Sequence, residues 1–139
     1  MALFRRRPTR QNPDPAAETH QKIDRVHFLK RCTLFANLSD WELQSIARLT
    51  RLVEVKRDEI ISRTGEPASS FYIVISGKFE VFAGEGSRRQ VLAYLKQGSF
   101  FGEMSLIADQ PHSATVAARS DSLVLEISKE NFKRVVENN

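Results

Sequence analysis

The chain has 139 residues, 41% of them hydrophobic and 27% charged, which suits one globular domain with a real core and leaves little room for a second. Its formal charge is +4, yet residues 1–31 carry a balance of +5 and residues 32–139 a balance of −1, so the basic character lies in the leader and argues against a folded nucleic-acid-binding face. Cys32 is the only cysteine, which excludes an intramolecular disulfide and a cysteine-based zinc site, and no apolar run approaches the roughly 18 residues that span a bilayer.

Residues 1–20 read as an unstructured basic leader, because Pro8, Pro13 and Pro15 interrupt any helix and the polar residues between them supply no core. The start lacks the apolar segment of a signal peptide, and with a single cysteine the expected setting is cytoplasmic. Cys32, beside Leu34 and Phe35, is expected as a small buried hydrophobe. The folded part is expected over residues 21–139. It opens with a short helical pattern carrying Ile23, Val26, His27 and Phe28. Ser39 and Glu42 then fit a capping box, Leu38 and Leu43 sit at the staple positions around it, and Leu43, Ile46 and Ala47 give the next helix its apolar face. Trp41, in the first turn, is expected to pack onto the domain body.

After Thr50 the period changes from helical to alternating. Strands are expected at Leu52–Val55, Ile60–Ile61, Phe71–Ile75, Phe79–Ala83, Val91–Leu95, Ala114–Ala118 and Leu123–Ile127, punctuated by turns at Gly65, Gly77, Gly84–Ser87 and Gly98. Ser128 is placed to cap a terminal helix in which Phe132, Val135 and Val136 share a face. Short strands bracketed by helices predict a mainly β fold with flanking helices, an antiparallel barrel or sandwich.

The segment Phe100–Val116 carries the chemistry. Gly102 permits close backbone approach at the mouth of a short helix, whose first amides are suited to an anion. Glu103 adds an acceptor suited to a ribose hydroxyl, so a sugar phosphate would satisfy both. An ordinary turn, with Glu103 serving the helix dipole, is the competing reading of these residues alone. Glu103 and Asp109 are the one possible carboxylate pair for catalysis. His20, His27 and His112 lie without metal-ligand spacing, and no nucleophile elbow, Walker loop or dinucleotide fingerprint occurs. Neither a metal, a cofactor nor an enzymatic activity is expected.

Taken together, Leu34–Ser39, Gly65-Glu66, Phe71–Gly77, Phe101–Leu106 and Pro111–Val116 resemble, in order and spacing, the cyclic nucleotide-binding domain of the cAMP-receptor and kinase-regulatory type, over about Phe28 to Val136. The resemblance implies an eight-stranded jelly-roll-like β-barrel flanked by helices. It implies a ligand site at Phe101, Gly102, Glu103, Met104, Ser105, His112, Ser113 and Ala114, with the glutamate on the ribose and backbone amides on the phosphate. It also implies a cyclic nucleotide monophosphate (cAMP or cGMP) as ligand, and the expected action is on a protein partner, through the terminal helices or the basic leader. The transcription-factor branch carries a helix-turn-helix after the barrel. None follows Ser128 here, and no DNA binding is expected.

His112 departs from the pattern, which places arginine there to pair with the cyclic phosphate. Histidine offers at most two single donors and is mostly neutral at pH 7. Losing one partner of a desolvated charge pair costs on the order of 2–5 kcal/mol, roughly 30- to several-thousand-fold in affinity. Three readings stay open at this point: a weakened or pH-sensitive phosphate ligand, a site retuned for another ligand such as a cyclic dinucleotide, or a plain surface histidine. The alternative function is then a degenerate domain that works, ligand-free, as a protein-interaction or assembly module, with Phe4 and the arginines Arg5, Arg6 and Arg7 as its candidate docking peptide.

Overall fold

The computed structural model describes the backbone of residues 5–6 and 23–137, and side chains from 23 to 135. Strands β1 (Arg5–Arg6), β2 (Arg51–Val55), β3 (Glu59–Ser62), β4 (Ser70–Ser76), β5 (Phe79–Ala83), β6 (Gln90–Leu95), β7 (Phe100–Phe101), β8 (Thr115–Ala118) and β9 (Ser122–Ser128) are joined, among the described residues, by four α-helices and two short 3-10 turns. The α-helices are α1 (Arg25–Arg31), α2 (Asp40–Ala47), α3 (Glu103–Ala108) and α4 (Lys129–Glu137). The strands form two sheets, in the orders β1-β3-β8-β5-β6 and β2-β9-β4-β7. The pairings are antiparallel except that of β1 with β3. The sheets face each other in a jelly-roll-like sandwich and do not close into a barrel among the described residues.

The continuous apolar runs of β4 and β9 follow from burial on both faces. Phe71, Ile73 and Ile75 of β4, with Leu123, Leu125 and Ile127 of β9, face a helical core that includes Leu29, Phe35, Leu43 and Phe132. The alternate residues Tyr72, Val74 and Val124 face the second sheet and pack with Phe79, Val116 and Ala118. A small cluster of Ile60, Phe82 and Ala117 lies on the far side of that sheet. There the nearly buried Glu80 carboxylate pairs with Arg89 and, at 3.2 Å, with Arg119, while the Arg89 guanidinium lies 4.2 Å over the Phe82 ring.

The helix signals in the sequence have their expected geometry. The Ser39 N–H donates to the Glu42 carboxylate at 3.0 Å and the Glu42 N–H donates to the Ser39 hydroxyl at 3.2 Å. Ser128 accepts from the Asn131 N–H at 3.2 Å at the start of α4. Asp24 caps α1 by accepting from the His27 N–H at 3.0 Å, and α1 accordingly begins four residues later than the apolar pattern suggests.

Three expectations need correction or completion. Trp41 does not pack onto the body: it is 76% exposed, because position N2 of α2 points away from the Leu43–Ile46 stripe. The strand expected from Ala114 begins at Thr115 and its four residues are all buried, since Val116 and Ala118 face the sandwich interior while Ala117 joins the cluster outside. The first helix buries Leu29 most completely and leaves His27 exposed, its ring edge-on to Phe28 at 5.6 Å. The leader, apart from the backbone of Arg5 and Arg6, and the side chain of Val136 lie outside the described residues.

Candidate ligand site

The site begins where β7 pairs with β4, Phe101 opposite Tyr72 and Phe100 opposite Ile73. Phe101 stacks on Tyr72 with ring centroids 5.0 Å apart, which fixes the chain just ahead of the glycine. Gly102 then turns with φ of +96°, and a Cβ there would meet the Ser70 carbonyl oxygen at 2.8 Å. Two constraints therefore demand glycine before any ligand is considered: the left-handed backbone and the close approach to β4.

The turn starts α3. Leu106 is fully buried in the helical core and pins the helix from below, while Met104 and Ile107 stay 68% and 54% exposed. The helix ends at Asp109, itself left-handed at φ +54°, whose carboxylate accepts from the Lys129 ammonium of α4 at 2.9 Å. That bond and the charges of Lys129 and Lys133 hold the Asp109 carboxyl below its ordinary value. Asp109 thus joins α3 to α4 and does not line the cavity with Glu103, so the carboxylate pair considered for catalysis is not assembled.

The returning segment is strapped to the turn after β3. The His112 N–H donates to the Glu66 carbonyl at 3.0 Å and the Gly65 N–H donates to the His112 carbonyl at 2.8 Å. One step on, the Thr64 N–H donates to the Thr115 hydroxyl at 3.1 Å, and the two threonine hydroxyls bond at 2.9 Å. Residues 64–66 and 112–115, far apart in sequence, are thus strapped together, and His112, Ser113 and Ala114 present a wall to the site.

Between α3, this wall and the inner face of β5–β6 lies an open cavity of about 200 Å³. All eight residues singled out in the sequence line it: Phe101, Gly102, Glu103, Met104, Ser105, His112, Ser113 and Ala114. Ser62, Val81, Leu95, Phe100 and Val116 complete the lining and were missed. Period-two alternation puts Val81 and Leu95 on the inward face of their strands, but it cannot distinguish a residue that packs the sandwich from one that lines an opening in it.

Charge in the cavity is lopsided. His112 is half-buried, and burial lowers its pKa from 6.5, an effect that the nearby Glu66 carboxylate opposes only in part. The imidazole is therefore neutral at pH 7, and Glu103 is the charged side chain among the described lining residues. Beneath the cassette, burial pushes the Cys32 thiol up to about 11 and the Glu103 charge adds to the effect, so Cys32 is an inert core residue. No cluster of metal-ligating side chains occurs among the described residues, and no described helix is long and apolar enough to cross a membrane.

The family model for the cyclic nucleotide-binding domain matches residues 52–139, more than half of the chain. The chain belongs to that family. A cAMP-dependent protein kinase regulatory subunit from Emericella nidulans is 33% identical to the domain over 109 residues, which are 78% of this chain and 26% of that protein. The chain thus spans about a quarter of that relative's length. The regulatory domain of Toxoplasma gondii PKA, solved with cAMP, superposes with a TM-score of 0.76 at 27% identity over 86% of this chain and 47% of that one. A cyclic nucleotide-binding-like protein from Brucella abortus superposes at 0.74 over 83% of this chain and 99% of that one. At 24% identity this likeness establishes the fold alone. The segment expected as the ligand cassette reads Gly102-Glu103-Met104-Ser105 in this chain, with His112 where the resemblance expects arginine.

Proposed function

We propose that this domain is a non-enzymatic cytoplasmic regulatory module that takes a ligand of the cyclic-nucleotide type in the cavity and acts on a protein partner. The observation that carries the reading is the convergence of all eight residues on one cavity in a chain of this family. Glu103 accepts from the ribose hydroxyls. The first-turn amides of α3 and those of Ser113 and Ala114 face the 5′ substituent, with His112 beside it.

The transmission route runs through rings. Phe100 lines the cavity and lies 5.8 Å from Phe71, which in turn stacks at 5.3 Å on Phe132 of α4. Leu106 of α3 packs in the same core as Phe132, and the Asp109–Lys129 bond ties the two helices at the surface. A ligand that shifts α3 therefore moves α4, which supports α4 as the element that the partner reads. The relatives named as kinase regulatory subunits support a kinase as that partner, with the basic leader as a second contact.

The reading is tested by calorimetric titration of the chain with cAMP and cGMP. Heat that saturates with a micromolar to sub-millimolar midpoint, abolished by Glu103→Ala, is the expected result. A second reading, a ligand-free interaction module, is favoured by His112 at the phosphate position and by the 76% exposure of Trp41. Under it, no ribose-containing ligand gives heat at about millimolar concentration.

A further inference from the structure

We infer that, among ligands of this type, the cavity holds an uncharged ribonucleoside more tightly than the corresponding cyclic monophosphate at neutral pH. The inference rests on the ribose role proposed for Glu103, and it deepens that role by naming the ligand class. Four features of the cavity carry it.

The first is charge. Of the described lining residues, Glu103 is anionic, and the other polar side chains are the imidazole of His112 and the hydroxyls of Ser62, Ser105 and Ser113. A cyclic phosphate brings a second negative charge into the same cavity. Partial desolvation there strengthens its repulsion from Glu103. The Glu66 carboxylate, near enough to His112 to act on its titration, adds to the negative field.

The second is hydrogen-bond chemistry. A neutral imidazole presents one donor and one acceptor, and each serine hydroxyl presents both. A nucleoside 5′-hydroxyl also donates and accepts, so it can satisfy either face of these groups. The free oxygens of a cyclic phosphate only accept, so they can use the imidazole N–H but offer its lone pair no donor.

The third is position. His112 is held in the cavity wall by backbone bonds on both sides, to Glu66 and from Gly65, so the backbone at this position cannot retreat to make way for a hydrated anion. The fourth is size. At about 200 Å³ the cavity falls below the range of roughly 300–1,000 Å³ usual for drug-sized ligands. It encloses the sugar and its substituents, with the base toward the opening beside the exposed Met104, and the smaller 5′-hydroxyl fits with less displacement of the wall. A cyclic dinucleotide, with two phosphates, is disfavoured on both charge and size.

The experiment is calorimetry on the full chain at about pH 7.5, with adenosine, guanosine, their 2′-deoxy counterparts, cAMP and cGMP. The expected result is that one ribonucleoside binds at least about tenfold more tightly than its own cyclic monophosphate, and also more tightly than its 2′-deoxy form. His112→Arg is expected to shift the ratio of the two affinities at least about tenfold toward the cyclic monophosphate. Glu103→Gln, an isosteric change that removes the negative charge, is expected to shift the ratio the same way and serves if the arginine variant does not fold. A cyclic monophosphate that outbinds its nucleoside, with the ribose still preferred over deoxyribose, overturns the inference and leaves the ribose role standing. Equal binding of ribose and deoxyribose forms overturns the ribose role and the inference with it, as does the absence of heat from every compound.

Discussion

His112 and Glu66 are joined through their backbones, the histidine N–H donating to the glutamate carbonyl at 3.0 Å, while the Glu66 carboxylate also acts on the imidazole through space. The first contact makes the position structural. The second makes its titration part of the fold's stability.

A pH dependence follows. Burial depresses the folded-state pKa of His112 below the 6.5 of the unfolded chain, with Glu66 opposing. The unfolded state therefore binds more protons in this window. The contribution of neutral His112 is fully present above about 6.5 and is lost as pH falls from there through the folded value. Urea unfolding at about pH 7.5 and pH 5.5 should show a larger drop in midpoint for the wild type than for His112→Gln, since the other titrating groups are common to both. Equal drops would show that His112 titrates alike in both states.

Gly102 and Gly65 separate two costs of replacing a glycine. Both have positive φ, but a Cβ at Gly65 meets nothing within 4 Å, whereas one at Gly102 lies 2.8 Å from the Ser70 carbonyl. Gly65→Ala should cost roughly 1 kcal/mol from the left-handed backbone alone. Gly102→Ala should cost about 2–3 kcal/mol, because β4 or the turn must also shift. Denaturant titration of the two variants gives the ranking directly.

Around Glu80 the asymmetry of exposure predicts which deletion hurts. Its side chain is 3% exposed, against 31% for Arg89 and 47% for Arg119. Without the carboxylate, both guanidiniums can turn to water. Without both arginines, a buried charge loses its two cationic partners. The double variant Arg89→Ala, Arg119→Ala should therefore be less stable than Glu80→Gln by about 2 kcal/mol or more, read from thermal or denaturant unfolding.

Phe132 anchors α4 by stacking on Phe71 and is almost fully buried. Phe132→Ala should cost about 3–5 kcal/mol. Hydrogen exchange should find the loss of protection concentrated in the amides of α4, with β4 and β9 less affected, because those strands keep their ladder. Uniform loss across the domain would mean that α4 is an integral part of one cooperative unit.

The sequence was most legible where a local rule leaves one solution. The Ser39–Glu42 box and the Ser128 cap have their expected partners because capping depends on backbone donors within one turn. The β4 and β9 runs read as buried strands because residues buried on both faces cannot alternate. Trp41 misled because a large apolar side chain in an amphipathic helix suggests burial, and only its angle from the Leu43–Ile46 stripe reveals the opposite. Asp24 caps α1 without a clear signal in the sequence, because the apolar pattern starts at Ile23, ahead of it.

By itself, then, the sequence carried the resemblance to the fold family through the order and spacing of its motifs, while the cassette residues taken alone left an ordinary turn as a competing reading. Tertiary structure alone decided what surrounds them. The pairing of residues 64–66 with 112–115, the separation of Asp109 from Glu103, and the entry of Ser62, Val81 and Leu95 into the lining all depend on contacts between distant segments. The further lowering of the His112 pKa belongs to this second class. The histidine's position was legible as a departure from arginine. That it is a half-buried wall residue, held neutral more firmly than a free histidine in a cavity whose charged described side chain is a carboxylate, follows from burial, which no local pattern encodes.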